Sequence, residues 1–261
     1  MATALISGLK QESDPGLRLR VADPSEEARI RLQSDFDLEV RKKAADIIRG
    51  ADVIVLAIKP QVIPAVLAEL GDQLEPQQLV LSIAAGISIT ALANQLSPQQ
   101  AIIRAMPNTP ALVGEGITVL VAGEHCRPHH REQAERILRS AGVVIWLEDE
   151  TLMDAVTAVS GSGPAYFFLL TETLAAAGER LGLPPEIAHR LAEHTCSGAG
   201  AMLKDSAAGA AELRRRVTSP GGTTQAALQA FEQGDFAELV FKAVSAAQQR
   251  GIELSRIPGQ G

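Results

Sequence analysis

The chain has 261 residues, 46% of them hydrophobic, which is enough for one large domain or two smaller ones with a real core. Its formal net charge is −7, from 31 acidic and 24 basic side chains, and it has no basic run, so nucleic acid and anionic membranes are excluded as expected partners. No apolar stretch reaches the roughly 18 residues of a membrane span, and the two cysteines, Cys126 and Cys196, make no disulfide frame, so a reducing, cytoplasmic setting is expected. Aromatic residues are only 3%, so packing must rest on Ala, Leu, Ile and Val.

The opening residues, Met1 to Leu9, already read as a helix. Short apolar runs at 17–22, 53–58, 79–83, 101–105, 117–122 and 143–147 then alternate with helical patterns at 25–33, 42–49, 61–70, 88–95 and 128–141. Several runs are almost continuous in Val, Ile and Leu, as buried parallel strands are. The alternation predicts a doubly wound α/β domain over residues 1–148. Beyond Leu147 the strands stop. Helical spacing at 151–159, 164–181, 185–204, 208–217, 223–232 and 235–251 predicts an all-helical domain over 149–261, with a frayed tail from 252. Its small-residue stretches, 175–178 and 198–201, suit close helix contacts. A helical domain this short is expected to complete its core on a second copy, giving a homodimer or higher homo-oligomer.

In a doubly wound sheet, ligands bind beyond the carboxyl ends of the strands. Three such ends carry useful chemistry. Asp23 follows the first run and can either hold a ribose diol or cap the next helix. Lys59-Pro60 follows the second run. Ala84-Ala85-Gly86 follows the third, where small residues let a cofactor lie on the backbone. No G-x-G-x-x-G turn precedes these elements, so a central first strand and its pyrophosphate cradle are expected to be lacking, with weak dinucleotide binding as the consequence.

The segment Val217-Thr218-Ser219-Pro220-Gly221-Gly222-Thr223-Thr224 is the most informative. Two glycines enter a helix whose first turn offers unpaired N–H groups and a positive dipole end. Ser219, Thr223 and Thr224 place hydroxyls around the same point, which suits a small carboxylate with a polar neighbour. An ordinary turn with a capping hydroxyl is the alternative. His125, His129 and His130 near Cys126 lack metal-ligand spacing, so no metal is expected. His189 and His194 are spaced to diverge on a helix, Cys196 has no orienting partner for nucleophilic work, and Arg214-Arg215-Arg216 reads as a solvated face or an attractor for an anionic cofactor.

Four motifs in order resemble the pyrroline-5-carboxylate reductase family over nearly the whole chain. They are Ala57-Ile58-Lys59-Pro60, Arg104-Ala105-Met106-Pro107-Asn108-Thr109-Pro110, Ser160-Gly161-Ser162-Gly163-Pro164-Ala165-Tyr166 and the segment from Val217 to Thr224. The resemblance implies a Rossmann-like domain followed by a helical dimerisation domain. It also implies hydride transfer from NADPH or NADH to the C=N carbon of 1-pyrroline-5-carboxylate, giving L-proline. By motif, Thr224 would hydrogen-bond the ring nitrogen as the catalytic group. Ser219, Gly221, Gly222 and Thr223 would cradle the carboxylate, and Glu150 would line the substrate pocket. Ala57, Ile58, Lys59, Pro60, Ala84, Ala85, Gly86 and Asn108 would line the nicotinamide end, with Asp23 at the ribose. Asp23 favours NADH, whereas Arg20 or Arg29 could meet a 2′-phosphate. The competing readings are a β-hydroxyacid dehydrogenase, for which the helical half offers only Lys204 and Lys242 as bases, and a dimeric binding protein without catalysis.

Overall fold

A computed structural model describes residues 1–11 and 16–255. By internal contacts the chain divides into two compact units: Met1–Gly161 together with the chain from Ala247, and Ser162–Ala246.

The first unit opens on α1 (Ala2–Gln11), an amphipathic helix that buries Ala4, Leu5, Ile6 and Leu9. Next come β1 (Arg20–Ala22), α2 (Glu26–Phe36), β2 (Glu39–Arg41), β3 (Val53–Leu56), α3 (Ile63–Leu70), β4 (Leu79–Ser82), α4 (Ile89–Ala93), β5 (Ala101–Met106), β6 (Gly116–Ala122), α5 (Pro128–Arg139), β7 (Gly142–Leu147) and the short α6 (Met153–Val156). The strands form two sheets, β1-β2 and β3-β4-β5-β6-β7. The break falls between β1 and β3, where the doubly wound order 3-2-1-4-5-6 has its first strand.

Within the larger sheet β3, β4 and β5 are parallel, β5 and β6 antiparallel, and β6 and β7 parallel. The reversal at β6 has a simple cause. The link 107–115 holds only a 3₁₀ turn (Thr109–Val113), too short for the crossover a parallel neighbour needs, whereas α5 supplies that crossover between β6 and β7. Leu79, Val80, Leu81 and Ser82 are wholly buried, which accounts for the unbroken apolar run in the sequence.

Two expected helices differ. Residues 42–49 form no helix; β2 ends at Arg41 and a 3₁₀ turn covers Ala44–Asp46. Val40 is buried with Ile6, Leu32 and Leu38 while its neighbours Glu39 and Arg41 are exposed, so strand alternation prevails over helical spacing here. Residues 151–159 break into a 3₁₀ turn (Glu150–Leu152), α6 and a π turn (Thr157–Gly161), because Ser160-Gly161 has poor helix propensity and the turn is tied to β-sheet residues described below.

The end of the sheet at which β4 begins is held by buried amides. Gln78 Nε2 donates to the Ile48 and Ala51 carbonyls, each at 2.8 Å, and its Oε1 accepts the Glu75 N–H at 2.8 Å. Beside it, buried His130 accepts the Arg127 N–H on Nδ1 at 3.1 Å, while Nε2 lies 3.4 Å from the Gln77 carbonyl.

The second unit contains α7 (Gly163–Arg180), α8 (Pro185–Asp205), α9 (Ala210–Arg216), α10 (Thr223–Gln233) and the start of α11 (Phe236–Ser255). Helix α11 runs past residue 251, and the rest of the tail expected to fray, 256–261, lies outside the described residues. Helices α7 and α8 meet through small residues: a Cβ at Gly178 would stand 3.2 Å from that of Ala188, and Ala175, Ala188 and Ala192 are buried. The second small stretch behaves differently, since a Cβ at Gly198 or Gly200 would meet nothing within 4 Å. Large apolar side chains stay exposed on this unit, among them Phe168 at 68% and Phe241 at 66%. Among the described residues no helix is long and apolar enough to cross a membrane.

Burial holds the His130 imidazole below its ordinary 6.5, with His129 and Arg127 adding to the effect and the Gln77 carbonyl opposing it. Nδ1 is an acceptor only in the neutral ring. A depressed folded-state value means that the stabilisation is complete above the unfolded value and is lost as pH falls through the folded one. Urea melts from about pH 7 to about pH 5 should therefore show falling stability, and His130→Gln should flatten that slope.

Candidate functional site

The candidate residues in each unit can be built up separately. In the first unit they sit at the carboxyl ends of strands. Asp23, half-buried after β1, accepts the Ser25 N–H on Oδ1 at 2.8 Å. The cap of α2 itself is Ser25, whose hydroxyl accepts the Ala28 N–H. Asp23 thus supports the helix entrance through one oxygen, and Oδ2 has no hydrogen-bond partner among the described residues. Arg29 Nη1 donates to the Asp23 and Pro24 carbonyls, each at 2.9 Å, and Arg20 Nη2 donates to the Arg49 carbonyl at 3.1 Å.

After β3, Ala57 is half-buried and Ile58 packs into the core beside Leu56 and Ile87, while Lys59 stands exposed just ahead of a 3₁₀ turn that begins at Pro60. After β4, Ala84 is buried in the same cluster, Ala85 is exposed, and Gly86 adopts a left-handed φ of 75° that turns the chain toward α4. Ala84, Ile58 and Ala57 can thus offer backbone, and Lys59 and Ala85 offer accessible surface.

Asn108, after β5, is 8% exposed and both ends of its amide are engaged. Oδ1 accepts the Ile117 N–H at 2.9 Å, and Nδ2 donates to the Ser160 carbonyl at 3.2 Å. It joins the end of β5, the beginning of β6 and the π turn. The neighbouring Met106 packs so closely that a Cβ at Gly161 would lie 2.5 Å from its Cε. Two of the four sequence motifs are therefore in direct contact inside this unit.

Glu150 begins the 3₁₀ turn after β7. Its Oε1 accepts both Arg104 Nη1 at 2.9 Å and the Ile89 N–H at 2.8 Å. Arg104 lies on β5, 7% exposed. The sequence reading quoted Arg104 within a motif but gave it no task. A single arginine inside the apolar run Ala101-Ile102-Ile103-Arg104-Ala105 was the available signal, because a buried guanidinium cannot discharge and needs an anion. Cys126 donates its thiol to the Ile102 carbonyl at 3.0 Å, and burial pushes that thiol's pKa up, which disfavours a nucleophilic role.

In the second unit, α9 runs into the turn that precedes α10. Thr218 donates its hydroxyl to the Arg214 carbonyl at 2.6 Å. The chain then turns at Gly221, with a left-handed φ of 71°, and Gly221 N–H is held by Gln225 Oε1 at 2.6 Å. Gly222 is the N-cap of α10, and no side chain caps it. This removes the ordinary capping-hydroxyl reading. The first helical bond is Ala226 N–H to the Gly222 carbonyl at 3.2 Å, so the N–H groups of Thr223, Thr224 and Gln225 precede it. The hydroxyls of Ser219, Thr223 and Thr224 have no hydrogen-bond partner among the described residues. Arg215 and Arg216 both engage Glu212, in keeping with a solvated face. His189 pairs with Glu179 at 3.3 Å.

A doubly wound α/β unit followed by a helical unit is the plan of many dinucleotide-dependent oxidoreductases. Comparison with known proteins narrows this. Residues 150–254 match the family model for pyrroline-5-carboxylate reductase dimerisation, and residues 1–86 match that for NADP oxidoreductases, coenzyme F420-dependent. The chain is 45% identical to the pyrroline-5-carboxylate reductase of Pseudomonas aeruginosa over 260 residues, covering 100% of this chain and 95% of that one. The Haemophilus influenzae enzyme of the same name is 37% identical, with 98% and 95% covered. Among solved structures, a pyrroline-5-carboxylate reductase from Coxiella burnetii superimposes with a TM-score of 0.93 at 38% identity, covering 98% of this chain and 95% of that one. The Plasmodium falciparum pyrroline carboxylate reductase with NADP bound gives 0.81 at 30% identity, covering 96% and 93%. The chain belongs to the pyrroline-5-carboxylate reductase family.

The Asn108 amide serves two backbone groups at once, so Asn108→Ala leaves a donor and an acceptor without partners. Destabilisation of about 1–3 kcal/mol is expected, read as a lower urea midpoint at unchanged slope.

Proposed function

We propose that this chain reduces 1-pyrroline-5-carboxylate to L-proline, the last step of proline biosynthesis, with NADPH or NADH as reductant. The observation that carries this reading is the uncapped entrance of α10, whose first N–H groups precede the first helical bond beside the hydroxyl-bearing Ser219, Thr223 and Thr224, a chemistry suited to a small carboxylate.

The residues fit a dinucleotide at its two ends. Asp23 Oδ2 is available to accept a ribose hydroxyl. Lys59, Pro60, Ala84, Ala85 and Gly86, with the backbone of Ala57 and Ile58, would line the nicotinamide end. Asn108 contributes there through the shape it fixes, since both ends of its amide are occupied. Arg29 and Arg20 each serve backbone carbonyls through one nitrogen, which leaves the other N–H groups of either guanidinium able to meet a 2′-phosphate. When bound, the cofactor supplies the hydride.

An iminium carbon is already electrophilic, so the protein's tasks are to hold the anion, keep the ring nitrogen protonated and exclude other orientations. The N–H groups of Thr223 and Thr224, the Ser219 hydroxyl and the conformation set by Gly221 and Gly222 receive the carboxylate. The Thr224 hydroxyl hydrogen-bonds the ring nitrogen. A β-hydroxyacid dehydrogenase would need a general base instead. The helical lysine candidates do not favour that alternative: Lys242 pairs with Glu238 at 3.5 Å on an exposed face, and Lys204 is exposed near the end of α8.

The exposed apolar faces of α7, α8 and α11 support assembly as a homodimer or larger homo-oligomer through the helical unit. The net charge of −7 favours neither nucleic acid nor an anionic membrane as partner, and the reading places the enzyme in the cytoplasm. Light scattering on the purified protein should give at least twice the chain mass; a monomer at micromolar concentration would contradict this assembly. Thr224→Ala should lower turnover about ten- to a thousandfold in an assay of substrate-dependent NAD(P)H oxidation. Wild-type kinetics in that variant would remove Thr224 from the reaction.

A further inference from the structure

We propose that Glu150 is a positioning residue for the loop 84–88, holding it in the shape that receives the dinucleotide without itself touching substrate or cofactor. This rests on the reading of Ala84, Ala85 and Gly86 as cofactor-lining.

One carboxylate oxygen joins two separate elements. Glu150 Oε1 receives the N–H of Ile89, the first residue of α4, at 2.8 Å and Nη1 of Arg104, in the middle strand of the sheet, at 2.9 Å. The N-terminus of α4 has several N–H groups without helical partners. Ser88 satisfies one, since its hydroxyl accepts the Ala91 N–H at 3.1 Å, and Glu150 satisfies another from a distant part of the chain. A carboxylate at that position is also favoured by the helix dipole.

The loop is therefore anchored on both sides. At its start, Ile83 N–H reaches the Leu56 carbonyl at 3.2 Å and Ala84 is buried. At its end, Glu150 fixes Ile89. Between these anchors Ile87 is buried in the same cluster as Ala84, while exposed Ala85 and left-handed Gly86 have little packing of their own to define a shape. Glu150 is itself held in place: the neighbouring Asp149 Oδ1 accepts the Thr151 N–H at 2.9 Å and the Thr151 hydroxyl at 2.6 Å. Arg104 has 8% of its side chain exposed and Glu150 25%, so the carboxylate's charge answers the guanidinium in the sheet, while its reach to Ile89 is what holds the loop.

Three full-length variants separate charge from reach. Glu150→Asp keeps the anion beside Arg104 but shortens its reach to Ile89. Glu150→Gln keeps an acceptor for Ile89 at the original length, and Glu150→Ala removes both. NADPH affinity is measured by nicotinamide fluorescence, KM for both substrates by steady-state kinetics, and amide hydrogen exchange over residues 84–93 by mass spectrometry. Glu150→Asp and Glu150→Ala should weaken NADPH binding about tenfold, while KM for 1-pyrroline-5-carboxylate stays within about twofold. Glu150→Gln should restore most of the NADPH affinity, and exchange over 84–93 should rise in the Asp variant but not in the Gln variant. A rise in KM for the imino acid with unchanged NADPH affinity would overturn the proposal and make Glu150 a substrate-pocket residue. Unchanged exchange in Glu150→Asp would also overturn it. Should the wild-type chain fail to bind NADPH, the cofactor reading of the loop fails, and the exchange comparison still shows whether Glu150 tethers it.

Discussion

A guanidinium lies inside a sheet whose strands carry no other charged side chain, and it has to be matched by an anion. Arg104 sits on β5, the middle of five strands, beside a β4 whose residues are wholly buried. Arginine keeps its charge at any ordinary pH, so a buried position without a counter-ion would be strongly unfavourable. Glu150 answers it from beyond β7, and in doing so also receives the first N–H of α4. Removing one partner of such a buried pair costs about 3–5 kcal/mol, whereas exposed pairs such as Arg41–Glu39 or Arg250–Glu253 are worth about 0–1 kcal/mol each. Asn108 plays a parallel part a few residues along, joining β5, β6 and the π turn. Both tie β5 to the segment that follows the sheet.

The elements that were legible in the sequence were those whose apolar runs are long and buried on both sides. β4 and β5 fall within a residue of their expected ends because nearly every position faces the core. β2 was not legible, since one buried residue, Val40, flanked by charges cannot outweigh the helical spacing that follows it. The antiparallel direction of β6 depends on link length rather than on strand composition. The π turn at Thr157–Gly161 depends on tertiary partners, Asn108 and Met106, that no local pattern announces.

For the candidate site, the entrance of α10 was visible as two glycines among hydroxyls, and the structure adds that no side chain caps it. Glu150 was singled out as lining a substrate pocket, but its commitment to Arg104 and Ile89 could not be read from spacing, because the three residues come from separate parts of the chain. Asp23 had two readings; in the structure Ser25 is the cap of α2, and Asp23 supports that entrance by accepting the Ser25 N–H. The small residues at 198–201 suggested helix contact, yet within one chain Gly198 and Gly200 touch nothing. Their exposure, with that of Phe168 and Phe241, accords with a region matched by a dimerisation family model.

The central claim is that hydride reaches the imine carbon of a ligand held at the α10 entrance. It is tested most directly by supplying the purified protein with 1-pyrroline-5-carboxylate and NAD(P)H deuterated at the transferable position, and analysing the product by mass spectrometry. The account predicts proline carrying one deuterium on the ring carbon next to nitrogen and remote from the carboxylate. Unlabelled ligand recovered from a protein that binds it, with no labelled proline formed, would contradict the account and leave a binding protein in its place.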